Sequence, residues 1–146
     1  MNAFHLAIPV RDIEEAKKFY TSLPMVKIGR EGEMWTDFDF FGHQLSIHLK
    51  AEATCAPKTN MVDGKSVPVR HFGIILEWDD WQNMSARFRA DQVEFTIEPY
   101  IRFEGQVGEQ ATLFLSDPSG NAIEFKSFKD MHYLFQADAK ISTSGF

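Results

Sequence analysis

Residues 3–10 alternate strictly: Phe4, Leu6, Ile8 and Val10 fall on one face of an extended strand, His5, Ala7 and Pro9 on the other. The period then changes. Behind Asp12, a residue suited to a helix N-cap, Ile13, Ala16 and Phe19/Tyr20 recur at helical spacing until Pro24 closes the segment. Alternation returns over 25–29, 34–41 and 44–50, the last two joined by a short turn around Gly42. Within 44–49, Leu45, Ile47 and Leu49 share one face and Gln44, Ser46 and His48 the other. Residues 51–70 lose periodicity and collect Pro, Gly, Asn and Lys, which predicts a connecting loop, ordered with a mobile centre.

The pattern then restarts. It predicts a strand over 71–77, a helix over 79–90 with Trp81, Met84 and Phe88 inward, and strands near 93–98, 111–116 and 121–126. Residues 101–110 hold two glycines and read as a hairpin loop. In the last strand Ile123 and Phe125 oppose Ala122, Glu124 and Lys126. From 129 the tail is less regular; Tyr133, Leu134 and Phe135 are expected to pack on the body, and 140–146 to fray. The two stretches are copies with a lag of 66 residues, His5 and Asp12 in the first answering His71 and Asp79 in the second to within a residue. The expected fold is therefore α+β, two paired βαβββ modules: module one 1–50, connection 51–70, module two 71–128, tail 129–146. Neither module could cover its own sheet, so pairing is expected.

Composition narrows the class. With 146 residues, 44% of them hydrophobic, fourteen Phe and three Trp, the chain can build a substantial core. Its net charge of −6 and lack of a basic run argue against nucleic acid as a partner. The lone Cys55 cannot form an internal disulfide, which suits a reducing cytoplasm. No apolar stretch approaches the roughly 20 residues that span a bilayer. His5 and Arg11 interrupt any export-signal layout, so a soluble cytoplasmic protein is expected.

If the apolar strand faces pack on the helices, His5, His48, His71 and Glu124 all point away from them. Imidazole with carboxylate is the usual donor set for Zn, Fe, Mn, Ni or Co, and two His with one carboxylate suits Fe(II) oxygen chemistry. A lone strand histidine is more often hydrogen-bonded or exposed than a ligand, but the repeat raises His5, His71 and Glu124 above that background. His48 is a candidate fourth donor, with Gln44 on the same face as its alternative. Other residues carry less: His43 reads as a turn residue, His132 lies in the tail, and Cys55 has no neighbouring His or Cys at metal spacing. The run Trp35–Phe41 reads as sheet core, with an apolar pocket as the alternative. Arg102 and Lys126 either steer an anionic substrate or are solvated charges.

The pattern resembles the vicinal oxygen chelate superfamily: glyoxalases, extradiol dioxygenases, fosfomycin-resistance enzymes and bleomycin-binding proteins. The matching residues are His5 ahead of Pro9-Val10-Arg11-Asp12, His71 ahead of the second helix, and the run from Asp117-Pro118-Ser119-Gly120 to Ile123-Glu124-Phe125. The resemblance covers residues 3–128 and implies eight strands of two modules curling around a cleft with one divalent metal, iron slightly favoured. It implies His5, His71 and Glu124 as ligands, with His48 at the fourth place and Glu124 as the catalytic carboxylate able to take a proton from carbon. It further implies a small-molecule substrate with adjacent oxygen atoms, and a homodimer whose cleft is built within one chain or shared between two. The expected activity is dioxygenase-like ahead of a glyoxalase-type lyase or isomerase; a non-catalytic small-molecule-binding protein is the rival.

Overall fold

In the computed structural model, which describes residues 2–136, the opening alternation becomes strand β1 (His5–Val10) and Asp12 turns the chain into helix α1 (Ile13–Ser22). Asp12 caps that helix: its carboxylate accepts from the Glu15 amide at 2.8 Å. Ala16 and Tyr20 form the buried stripe. Strands β2 (Val26–Glu31), β3 (Trp35–Phe40) and β4 (His43–Leu49) follow, and the sheet runs β1-β4-β3-β2, with β1 parallel to β4. Its core is Val10, Tyr20, Phe38, Leu45 and Ile47, all nearly inaccessible.

The connection is not a loop. It folds into a hairpin of β5 (Lys58–Val62) and β6 (Lys65–Val69), which form a two-stranded sheet of their own. Asp63 and Gly64 make its two-residue turn with φ of 51° and 73°, the left-handed pair that an Asp-Gly hairpin adopts. Strand β7 (Phe72–Leu76), helix α2 (Trp78–Ala90), and strands β8 (Ile97–Arg102), β9 (Gln110–Ser116) and β10 (Ala122–Phe128) then repeat the first pattern, in the order β7-β10-β9-β8. Trp81, Met84 and Phe88 are buried as expected, and the Trp81 indole donates to the Phe125 carbonyl at 2.8 Å.

By contact, the described chain divides into two compact units: the chain up to Ala56 together with Ser116–Asn121, and Pro57–Leu115 together with the chain from Ala122 onward. The Asp-Pro-Ser-Gly run thus belongs to the first unit, and it is structural. The Asp117 carboxylate accepts from the Ser119 and Asn121 amides, from the Asn121 side chain, and from the buried Tyr20 hydroxyl at 2.7 Å. Burial, then Asp117, pushes the Tyr20 phenol well above its ordinary pKa, so it stays a donor. Gly120, at φ +87°, passes 3.1 Å from the Ala56 amide for any added Cβ.

Two expected placements shift. Strand β8 begins at Ile97 rather than 93 and runs through Arg102, because Val93 and Thr96 are spent on leaving α2 and entering the sheet: the Val93 amide donates to the Phe88 carbonyl and the Thr96 amide to that of Phe114. Phe135 is 93% exposed and does not pack, whereas Tyr133 and Leu134 are half-buried in a short 3-10 turn. The expected fraying of 140–146 lies outside the described residues. No helix among the described residues is long and apolar enough to cross a membrane.

Candidate metal centre

His71 stands immediately ahead of β7, and Glu124 is the third residue of β10, the strand beside it. Phe72 pairs with Ile123 and Gly73 with Glu124, in parallel register. The two backbones come so close that a Cβ on Gly73 would lie 1.7 Å from the Glu124 carbonyl oxygen; only glycine fits. This approach brings His71 Nε2 to 3.1 Å from Glu124 Oε2.

Both side chains are held. His71 Nδ1 lies 2.6 Å from the Pro68 carbonyl oxygen, which can only accept, so Nδ1 carries the hydrogen. The Phe114 ring meets the imidazole edge-on at 5.0 Å. Thr112, from β9, donates to Glu124 Oε1 at 2.7 Å. With Nδ1 committed to Pro68, the neutral imidazole directs the Nε2 lone pair at a carboxylate oxygen, and two acceptors so placed need a cation between them. In the metal-free pair that cation is a proton. The hydrogen bond to Glu124 raises the His71 pKa, helped by Pro68 and opposed by burial. Burial alone would raise Glu124, but the hydrogen bonds from His71 and Thr112 and the charge of Lys126 outweigh it and hold the carboxyl below its ordinary range.

The same place suits a metal. The 3.1 Å separation is what two donors about 2.1 Å from one ion span at roughly a right angle, and the Pro68 and Thr112 contacts are of the outer-sphere kind that orient ligands. The dyad opens into a cavity of about 370 Å³ in the second unit, walled by Met61, Val67, Val69 and Phe114 and carrying Tyr100, Arg102 and Lys126.

The first unit presents the corresponding face. His5 pairs with Gln44, so Ser46, opposite Ala7, takes the place that Glu124 takes opposite Gly73. His48 lies two residues further, opposite Pro9 and exposed, at the position of Lys126. Ser46 is buried and donates to Asp37 Oδ1 at 2.5 Å; Asp37, opposite it on β3, corresponds to Thr112. Carboxylate and hydroxyl have exchanged strands between the units. Asp37 Oδ2 also accepts from Gln44 at 3.0 Å and Arg30 at 2.8 Å, which engages both oxygens and the Gln44 amide group. His5 is exposed. Among the described residues, no three His, Cys, Asp or Glu side chains converge. The structure thus brings His71 and Glu124 together, and places His5, His48 and Gln44 in the other unit. His43 accepts the Phe4 amide hydrogen on Nδ1, a structural role.

Sequence reading passed over Thr112, Phe114 and the hairpin wall. Thr112 was legible as the strand neighbour on the face of the acid; the hairpin was marked by Asp63-Gly64 but hidden by its polar strands.

Residues 3–125 match the family model described as Glyoxalase/Bleomycin resistance protein/Dioxygenase superfamily. The chain belongs to this superfamily. A crystal structure of a glyoxalase/bleomycin resistance protein/dioxygenase from Alicyclobacillus acidocaldarius is 34% identical, with 92% of this chain and 96% of that one covered and a TM-score of 0.74. Two superfamily structures share the fold at lower identity. A genomically encoded fosfomycin resistance protein from Listeria monocytogenes is 14% identical (TM-score 0.63; 87% and 93% covered). A lactoylglutathione lyase from Agrobacterium tumefaciens is 15% identical (TM-score 0.60; 86% and 92% covered). Curated protein sequences give no significant match. The paired βαβββ architecture of the superfamily accounts for the two equivalent four-stranded sheets.

Proposed function

We propose that the protein is a divalent-metal-dependent enzyme acting on a small metabolite with adjacent oxygen atoms, in a dioxygenase-like reaction. The observation that carries this reading is the His71–Glu124 dyad, its imidazole tautomer fixed by Pro68 and its Nε2 and Oε2 3.1 Å apart at the head of a cavity. His5 is the proposed third donor, on the ground that it precedes Ser46's strand partner as His71 precedes that of Glu124. His48 and Gln44 are not included: the place symmetric with Glu124 is held by Ser46. Two imidazoles and one carboxylate leave positions open, the set associated with Fe(II) oxygenases.

A divalent ion held there would supply Lewis acidity to two neighbouring substrate oxygens. The protein's own part is orientation: Thr112 fixes the Glu124 carboxylate, Pro68 and Phe114 fix the imidazole, and Met61, Val67 and Val69 give the cavity an apolar lining. The hydrogen bond from Thr112 holds Glu124 Oε1 in place, which favours Glu124 as a fixed donor over Glu124 as the mobile proton acceptor of a glyoxalase-type reaction.

The test is metal analysis of protein purified without added metal, beside His71→Ala, Glu124→Ala and His5→Ala. Bound metal should fall in all three; unchanged content in His71→Ala and Glu124→Ala together would overturn the site. Iron with oxygen uptake on catechols supports the dioxygenase reading, whereas zinc or nickel with hemithioacetal turnover replaces it by isomerisation.

A further inference from the structure

The cavity carries cations that the metal reading leaves unused, and the inference drawn from them rests on that reading while naming its substrate class. Arg102 lies in β8 on the cavity wall, its side chain only 11% exposed. Its Nε donates to Asp63 Oδ2 at 2.5 Å, and its guanidinium lies over the Phe103 ring. Among the described residues the two Nη groups have no protein hydrogen-bond partner, and they are not sealed from solvent. The Tyr100 hydroxyl donates to the same Asp63 oxygen at 3.1 Å. Burial, then Asp63, pushes that phenol up to about 12, so it keeps its proton and Asp63 stays anchored. Held through Nε, the guanidinium has its Nη edge left for a second, external acceptor.

Arg102 is engaged by Asp63 through Nε alone, and Lys126 has no carboxylate within ion-pair distance among the described residues; the one lining carboxylate, Glu124, is already engaged by His71 and Thr112. Position adds a length scale. Tyr100 pairs with Thr112, and Thr112 reaches Glu124, so this row crosses from β8 to β10, with Arg102 two residues along from it. At about 4.8 Å between strands and about 3.3 Å per residue, the Arg102 and Glu124 backbones are roughly 12 Å apart, and both side chains reach inward from there. The cavity that holds both ends is otherwise lined by the apolar Met61, Val67, Val69 and Phe114.

We propose that Arg102, assisted by Lys126, binds an anionic group of the substrate, a carboxylate or phosphoryl group, separated by an apolar body from the adjacent oxygens at the His71–Glu124 end. The ligand is thus a small organic anion rather than a neutral diol or ketone.

The experiment titrates the protein as purified, at constant ionic strength, with inorganic phosphate in one arm and acetate in the other, by calorimetry. The Arg102→Met variant should bind at least tenfold more weakly, with Arg102→Lys intermediate, while metal content stays that of the wild type. Tighter phosphate binding assigns a phosphoryl group, tighter acetate binding a carboxylate; either order upholds the site. Should Arg102→Met fold poorly, the wild type alone decides: phosphate or acetate must protect Arg102, but not the exposed Arg30, from phenylglyoxal. Binding of both anions within twofold of wild type in Arg102→Met, or unprotected Arg102, overturns the proposal. Because anion binding and metal content are read separately, loss of the metal reading leaves this result interpretable, and the converse holds.

Discussion

The two units carry the same row of positions and use them oppositely. In the second, the row is Gly73, Glu124 and Thr112: a carboxylate on the strand beside the histidine strand, steadied by a hydroxyl one strand further out. In the first it is Ala7, Ser46 and Asp37, the hydroxyl inside and the carboxylate outside, with Asp37 closed off by Arg30 and Gln44. A single exchange of acid and hydroxyl between neighbouring strands separates an acid set beside an imidazole from one consumed by Ser46, Arg30 and Gln44. A duplicated scaffold therefore does not duplicate chemistry; the partner of each carboxylate decides.

The sharpest way to break this contrast is to remove the two equivalent side chains, the acid in one unit and the hydroxyl in the other. Glu124→Gln should reduce metal affinity by at least 10–100-fold and abolish turnover, while Ser46→Ala leaves metal content unchanged, both read by metal analysis. Loss of metal from Ser46→Ala would show that the first unit's row is not closed. Next is backbone approach. Gly73→Ala forces a Cβ onto the Glu124 backbone, whereas a Cβ on Gly29 in the first unit would meet Asp37 at an ordinary 3.4 Å. We expect Gly73→Ala to cost about 3 kcal/mol or more and roughly 6–12 °C in Tm, and Gly29→Ala less than about 1 kcal/mol, by thermal denaturation.

Proton linkage distinguishes the units further. Burial would raise the Asp37 carboxyl, but Ser46, Arg30 and Gln44 outweigh it and lower its pKa. Its contribution is present above its ordinary value of 3.8 and is lost as pH falls through the lower folded value. Asp37→Asn should cost about 1–3 kcal/mol at pH 6 and less at pH 3, read by urea denaturation. His71 moves the other way: raised above 6.5, it stabilises the metal-free protein fully below that pH and loses this as pH rises through its folded value. Glu124, lowered from 4.5, adds stability that is present above that value and lost on further acidification. NMR titration of His71 in chelator-treated protein should give a midpoint above 6.5, and in Glu124→Gln a lower one. The smallest effect concerns the helices. Asp12→Ala should cost about 1 kcal/mol because Asp12 caps α1, whereas Glu77→Ala should cost almost nothing, since Glu77 makes no side-chain cap to α2.

Both helices, seven of the eight sheet strands and the burial of Trp81, Met84 and Phe88 were legible from period and caps alone, because each rests on local patterning. Strand β8 was displaced by about four residues, since the Phe88–Val93 exit from α2 is set by a backbone bond that no residue type announces. The hairpin was missed for the reverse reason. Its Asp63-Gly64 turn was plain, but Lys58–Val62 and Lys65–Val69 lie over a cavity rather than a core and so lack apolar alternation. At the site, parity brought His71 and Glu124 to one face. Sequence spacing could not show that Ser46, not His48, is the counterpart of Glu124; that follows from register, which pairs His5 with Gln44.

The hairpin has an evolutionary consequence. Its strands pair only with each other, its bend is dictated by two adjacent residues, and contacts tie it to the body, among them Asp63 to β8 and the Pro68 carbonyl to His71. Met61, Val67 and Val69 can therefore be exchanged to reshape the cavity while the Pro68 carbonyl keeps its hold on His71 beside Glu124.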